Sequence, residues 1–227
     1  MDCLASIVSL LLSLVNLSSL LPLRGQPLQL RYPGGEWIMP GTTLNTLDTG
    51  MIPEISSIGL NCHRRYIVVF LDLDVTIPDT GIETVVLHWY QPDLVFNCTP
   101  HHPPAWLLPD GDLVSPSEAP YIAPQPPPTS HHRYLYLLFV QPEGYQFPKC
   151  FSHIPPKTVE ARGGFDIRQF MDAAGLDQPV ALNYFFARKD VPEGEKPPVL
   201  PSATTTSFRT VSCTPAPTSV QVREHRS

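Results

Sequence analysis

The sequence predicts a β-rich domain whose strands are joined by long, stiff loops, and three observations carry that expectation. Four short apolar runs are rich in β-branched and aromatic residues, the composition of buried strands. Proline supplies 28 of the 227 residues, about 12% against a typical 5%, which bars long helices from dominating. Only one stretch carries convincing helical spacing. Charged residues make up just 16% of the chain, and 15 Lys and Arg against 21 Asp and Glu give a net charge of -6. Nucleic-acid binding needs clustered basic residues, so it is excluded as the expected function.

At the start, residues 4–23 are uncharged and apolar, and Arg24, Gly25 and Pro27 break the pattern. Residues 1–25 are therefore read as a secretory signal peptide, with a retained signal anchor as the alternative because Asp2 stands where a positive charge is usual. Removal of the signal would leave no membrane span and would place the chain outside the cell. Loss of Cys3 would leave Cys62, Cys98, Cys150 and Cys213, an even set that suggests two disulfides of open pairing, with buried free thiols as the alternative. Asn97-Cys98-Thr99 is a glycosylation sequon in that compartment, with Asn97 as acceptor.

The body is expected over residues 26–190. Leu28, Leu30 and Tyr32 alternate before a Pro33-Gly34-Gly35 turn. The strand runs are 66–71 (YIVVFL), 84–90 (TVVLHWY), 133–140 (RYLYLLFV) and 180–187 (VALNYFFA). Between them lie the proline-rich loops 100–109 and 116–128, where each proline removes a backbone donor and so cannot sit in a central strand. Ile167, Phe170, Met171 and Ala174 fall at i, i+3, i+4 and i+7 behind Asp166 as N-cap, with Gly175 ending the helix. That helix is expected on a sheet edge. Residues 191–227 lose periodicity and large apolar side chains, the pattern of a disordered tail unless Cys213 ties it down.

Chemistry-bearing residues gather at strand ends. Asp72 and Asp74 close the first run, His88 sits within the second, and His132 and Tyr134 open the third. Alternate residues in a strand share a face, so Asp72 should point with Asp74 and His132 with Tyr134. Neighbouring strands would then bring carboxylates, imidazoles and a phenol into one polar pocket. The bland alternative is that the aspartates cap a turn and His88 is a satisfied core histidine. A zinc site from His101, His102, His131, His132 and His153 lacks ligand spacing. A hydrolase using Asp72 and His88 as base and orienter is the weakest reading, no Gly-x-Ser-x-Gly elbow being present. Walker and dinucleotide fingerprints are absent too, so no cofactor is expected.

The run Phe70-Leu-Asp72-Leu-Asp74-Val-Thr76-Ile-Pro78, with His88 sixteen residues beyond Asp72, resembles the DPDxP segment and downstream histidine of the phosphatidylethanolamine-binding protein family, which includes the Raf kinase inhibitor proteins. Tyr121-Ile-Ala-Pro124-Gln-Pro126-Pro127 leading to His132-Arg133-Tyr134 and Gln141 resembles its second motif, and the similarity runs in order from Leu28 to Arg188. The resemblance implies an all-β core of two antiparallel sheets, a β-sandwich with a few short peripheral helices and an anion pocket at one end. Asp72, His88, His132 and Tyr134 would form that pocket, Asp74 would lie beside it, and Tyr121 and Pro124 would shape its rim. Leu73, Val75-Thr76, Val86 and Ala123 depart from the family pattern, which predicts the loss of a proline-stiffened turn. The expected function is non-catalytic binding of a phosphate-bearing small molecule or phospholipid headgroup. The alternative is a protease or kinase inhibitor, a protein-interaction module on the same fold.

Overall fold

The computed structural model describes residues 26–77, 80–96, 107–109, 117–154, 158–189 and 213. Residues 1–25, read above as a signal peptide, Asn97, Cys98, the histidine pair 101–102 and the tail other than Cys213 lie outside the described residues.

The described strands are β1 (Gln26–Pro27), β2 (Gln29–Arg31), β3 (Thr43–Asn45), β4 (Glu54–Ser56), β5 (Arg65–Thr76), β6 (Glu83–Phe96), β7 (Leu107–Pro109), β8 (His131–Val140) and β9 (Ala181–Arg188). A seven-stranded sheet runs β1-β9-β8-β5-β6-β7, with β3 also on β9, and β2 pairs with β4 in a small ribbon. All four expected runs are strands here, the first three extending beyond the forecast boundaries. The all-β architecture with two sheets and short helices is as expected. The large sheet is antiparallel through its centre, while β1 and β3 join β9 in parallel at its margin.

The apolar runs show little polar alternation because both faces of the sheet are covered. Ile67, Val69, Leu71 and Leu73 of β5 enter one core with Leu135, Leu137 and Phe139 of β8. Tyr66, Val68 and Phe70 enter the opposite core with Tyr134, Tyr136, Leu138 and Phe185, beneath the β2–β4 ribbon. Asn183 secures that ribbon, donating through Nδ2 to the carbonyls of Leu28 at 2.7 Å and Ile38 at 3.0 Å.

Two short helices lie before β9, α1 (Val159–Arg162) and α2 (Ile167–Ala174). Asp166 caps α2 through the backbone N–H groups of Arg168 and Gln169, and Gly175 leaves it in a left-handed conformation at φ 65°, as the spacing predicts. Ile167, Phe170, Met171 and Ala174 are buried in the first core beside Tyr90 and Phe151. The Phe170 ring lies 5.7 Å from that of Tyr90 on β6 and 5.2 Å from that of Phe151, so the helix packs against the face of β6. Pro109 belongs to β7 at the sheet margin, the place in a sheet that tolerates a residue without an N–H. Cys150 is bonded to Cys213, which packs against the first core. Cys62 is also disulfide-bonded. No helix among the described residues is long and apolar enough to cross a membrane.

Candidate functional site

The site is built at one end of the sheet by two departures from regular pairing. Phe70 pairs with Trp89 while Leu71 pairs with Leu87, so His88 is the extra residue of a β-bulge. A bulge lets successive side chains share a face that strict alternation would separate. His88 and Trp89 accordingly both reach the face that holds Phe70, with the His88 ring 5.5 Å from Phe70 and 5.3 Å from Tyr134. A second shift falls between Asp72 and Val75, and it separates two aspartates that alternation would align.

Asp72 occupies the centre of the group, paired across the sheet with Val86 on one side and Tyr134 on the other. Its Oδ2 lies 2.9 Å from His132 Nδ1 and 3.8 Å from His88 Nε2. Its Oδ1 accepts from the Asp74 backbone N–H at 3.0 Å. His132 therefore carries its proton on Nδ1 when neutral, leaving Nε2 for another partner. His88 Nδ1 donates to the Ile122 carbonyl at 2.9 Å, while the Ile122 N–H returns a bond to the His88 carbonyl at 2.8 Å. That pairing turns His88 Nε2 toward Asp72. Burial lowers the His88 pKa, a shift that the Asp72 charge opposes. The Tyr134 hydroxyl is buried without a partner at hydrogen-bonding geometry, and burial, followed by the nearby Asp72 charge, raises its pKa.

The four residues are thus assembled and closely packed, with 2% of Asp72, 4% of His88, 8% of His132 and none of Tyr134 exposed. Leu73 points into the opposite core and so does not fill the cluster. Asp74 departs from the expected shared direction. It instead clasps Arg133, accepting from its backbone N–H at 2.6 Å, from Nε at 2.9 Å and from Nη2, and so fixes the start of β8 beside His132. Tyr121 is brought to the group by its ring, stacked on Phe70 at 5.8 Å. Its hydroxyl faces away, donating to the Thr49 carbonyl at 2.8 Å and meeting the Tyr32 hydroxyl at 3.1 Å. Pro124 is buried farther along the same segment.

Arg162 was not legible as a site residue. Only 1% exposed, it donates through Nη1 to the Pro120 carbonyl at 2.6 Å and, more weakly, to the His88 carbonyl at 3.4 Å. Its Nε and Nη2 have no partner among the described residues. Burial holds its pKa down at about 10. Together with the Tyr90–Ala119 bond at 3.0 Å and the His88–Ile122 pair, it straps segment 117–124 onto β6. An arginine directly before Gly163-Gly164 was the available signal, but nothing in the spacing tied it to His88. No group of three or more His, Cys, Asp or Glu among the described residues is arranged to hold a metal ion.

Chemically, the cluster offers one carboxylate held by an imidazole and a backbone amide, a second imidazole able to accept through Nε2, and a phenol donor. Such a set suits an oxyanion that brings or recruits a proton, since His132 and His88 donate through Nε2 once protonated.

Comparisons with known proteins agree with this architecture. The chain is 40% identical over 121 residues to "Phomoidride biosynthesis cluster protein N" of Talaromyces stipitatus, covering 53% of this chain and 58% of that protein. It is 41% identical over 136 residues to the protein of the same description from Fungal sp. (strain ATCC 74256), covering 58% of this chain and 57% of that one. The matches thus span less than two thirds of these relatives. Among solved structures, a carboxypeptidase Y inhibitor in complex with its cognate proteinase superposes with TM-score 0.60 at 20% identity, over 82% of this chain and 96% of that one. The Plasmodium falciparum phosphatidylethanolamine-binding protein gives 0.57 at 13% identity, over 81% and 96%. Since the phosphatidylethanolamine-binding protein model matches residues 34–185, well over half of the chain, the protein belongs to that family.

Proposed function

We propose that the chain is a non-catalytic binding protein that holds a small oxyanion, a phosphate-bearing molecule or phospholipid headgroup, at Asp72, His88, His132 and Tyr134. The observation that carries this reading is the convergence of Asp72 Oδ2 with His132 Nδ1 at 2.9 Å and His88 Nε2 at 3.8 Å beside the buried Tyr134 phenol. A few convergent polar groups set in an apolar, aromatic surround are what a small-ligand site requires. Asp74 acts by holding Arg133, and Tyr121 and Pro124 shape the wall. The two fungal relatives are named for a biosynthetic gene cluster, which favours a soluble organic phosphate or other small acid over a membrane lipid. The expected setting is extracellular, with Cys62, Cys98, Cys150 and Cys213 oxidised and Asn97 glycosylated.

Calorimetric titration with inorganic phosphate and with phosphorylethanolamine between pH 5.5 and 8 tests the assignment. Binding should weaken at least tenfold in His132→Gln, the equivalent of about 1.4 kcal/mol. Unchanged affinity in both His132→Gln and His88→Asn refutes the pocket. The near-complete burial of the four side chains favours a second reading, in which the fold serves protein interaction such as protease inhibition. Inhibition of a carboxypeptidase that survives both substitutions would select it.

A further inference from the structure

Away from the histidine cluster, a cleft of about 370 Å³ opens between the Pro33–Gly35 turn and residues 44–51. Its apolar wall is made by Tyr32, Ile38, Leu44, Leu47 and Met51. The charged groups that line it are Glu36 and Asp48, with no lysine, arginine or histidine among its described lining. The nearby Arg31 is neutralised by Glu54 at 2.6 Å and lies 5.0 Å over the Trp37 ring.

Leu47 is 86% exposed and Met51 65%, and Ile52 continues the apolar surface beyond the cleft. These side chains are not on a frayed loop. Leu47 lies within a 3-10 turn, Thr46–Thr49, and Met51 and Ile52 follow it; the turn is capped by Asn45, which accepts from the Leu47 N–H at 3.0 Å. Thr49 is wholly buried, and its carbonyl receives the Tyr121 hydroxyl at 2.8 Å. The turn is thus fastened to the core while it holds two large apolar side chains in water, an arrangement that costs solvation free energy unless something covers them.

We propose that this cleft docks a segment of a partner protein carrying a large apolar side chain next to a lysine or arginine. The apolar wall takes the side chain, and Glu36 and Asp48 attract the cation, in a chain whose net charge is -6. Leu47, Met51 and Ile52 extend the contact past the cleft mouth, which suits a polypeptide better than a compact small molecule. The two carboxylates repel an anionic membrane. The cleft has none of Asp72, His88, His132 and Tyr134 in its lining, and its role does not depend on whether that cluster binds phosphate.

The test uses the ¹⁵N-labelled full chain and the capped hexapeptide Gly-Arg-Leu-Phe-Arg-Gly, with a control in which both arginines are glutamates. Amide signals of residues 33–51 should shift with the arginine peptide. The glutamate peptide should bind at least about threefold more weakly at low salt, since two exposed charge pairs are lost. Leu47→Asp, a change at an exposed position that should leave the thermal midpoint intact, should abolish the shifts, and Asp48→Asn should weaken them. Equal binding of both peptides, shifts that survive Leu47→Asp, or no shifts at millimolar peptide would overturn the proposal. So would concentration-dependent dimerisation lost in Leu47→Asp, which would make a second copy the occupant, or capture by phosphatidylserine vesicles.

Discussion

Removing the Asp74 carboxylate should destabilise the protein and loosen His132 together. Asp74 accepts from the Arg133 backbone N–H at 2.6 Å, from Nε at 2.9 Å and from Nη2, with only 18% of the Asp74 side chain and 13% of the Arg133 side chain exposed. Charge-assisted hydrogen bonds contribute about 1.5 to 3 kcal/mol each, and a partner left buried carries its desolvation penalty. The freed guanidinium partly rehydrates at its exposed edge, so Asp74→Ala should cost about 2 to 4 kcal/mol in all. For a chain of this size that corresponds to a fall in midpoint of about 4 to 16 °C. Asp74→Asn keeps an acceptor for the Arg133 N–H and should lose about half as much. Thermal unfolding followed by circular dichroism measures both variants, and a cycle with Arg133→Met isolates the pair, whose coupling should exceed about 1 kcal/mol. In parallel, the His132 ring-proton resonances should move in Asp74→Ala, because the residue before Arg133 loses its fixed register against Asp72. A midpoint change below about 2 °C, or additive single substitutions with unmoved His132 signals, would show that the clasp neither stabilises β8 nor positions the histidine.

Three further outcomes follow from the same coordinates. Burial depresses the His88 pKa, so below about 6.5 the unfolded chain takes up a proton that the folded chain resists; stability should fall with acidification through that window and level off above it. Urea titrations from pH 5 to 8 should show a shallower slope in His88→Asn, and an unaltered slope would remove His88 as the source. Cys150 and Cys213 stand 63 residues apart, so replacing both with serine should cost up to about 4 kcal/mol by the chain-entropy argument; denaturant unfolding that detects less than about 1 kcal/mol would mean that the bridge confines little of the unfolded chain. Gly41 sits at φ +85° with the Tyr184 hydroxyl 3.0 Å from where a Cβ would lie. Gly41→Ala should therefore lose about 1 to 3 kcal/mol, read as a lower thermal midpoint, and no loss would place the turn in another conformation.

The strands were legible because burial on both sheet faces writes itself as uninterrupted runs such as YIVVFL, and α2 because Asp166 and Gly175 bracket a 3.6-residue period. The short pieces were not. β3, β4 and α1 contain three or four residues each, too few to express a period, and their pairing partners lie far away in the chain. The parallel seating of β3 on β9 depends on residues more than a hundred positions apart. At the site, Asp72, His88, His132 and Tyr134 were readable from strand position together with family likeness. The directions of Asp74 and of the Tyr121 hydroxyl were not, since both follow from tertiary partners, Arg133 in one case and Thr49 in the other. Arg162 stayed hidden for a related reason: a backbone carbonyl leaves no mark in the side-chain pattern, and its partners are the carbonyls of Pro120 and His88.

The bulge at His88 restricts what the gene can change. Substitutions along β6 alter one ring or methyl at a time, whereas deleting a codon at the bulge would straighten the strand and restore strict alternation, leaving one residue where His88 and Trp89 now share the Phe70 face. Either the imidazole or the Trp89 ring would then be missing from that face, and no replacement elsewhere in the strand would bring both back. Descendants of this protein are free to vary the composition of the second long strand but are held to its residue count.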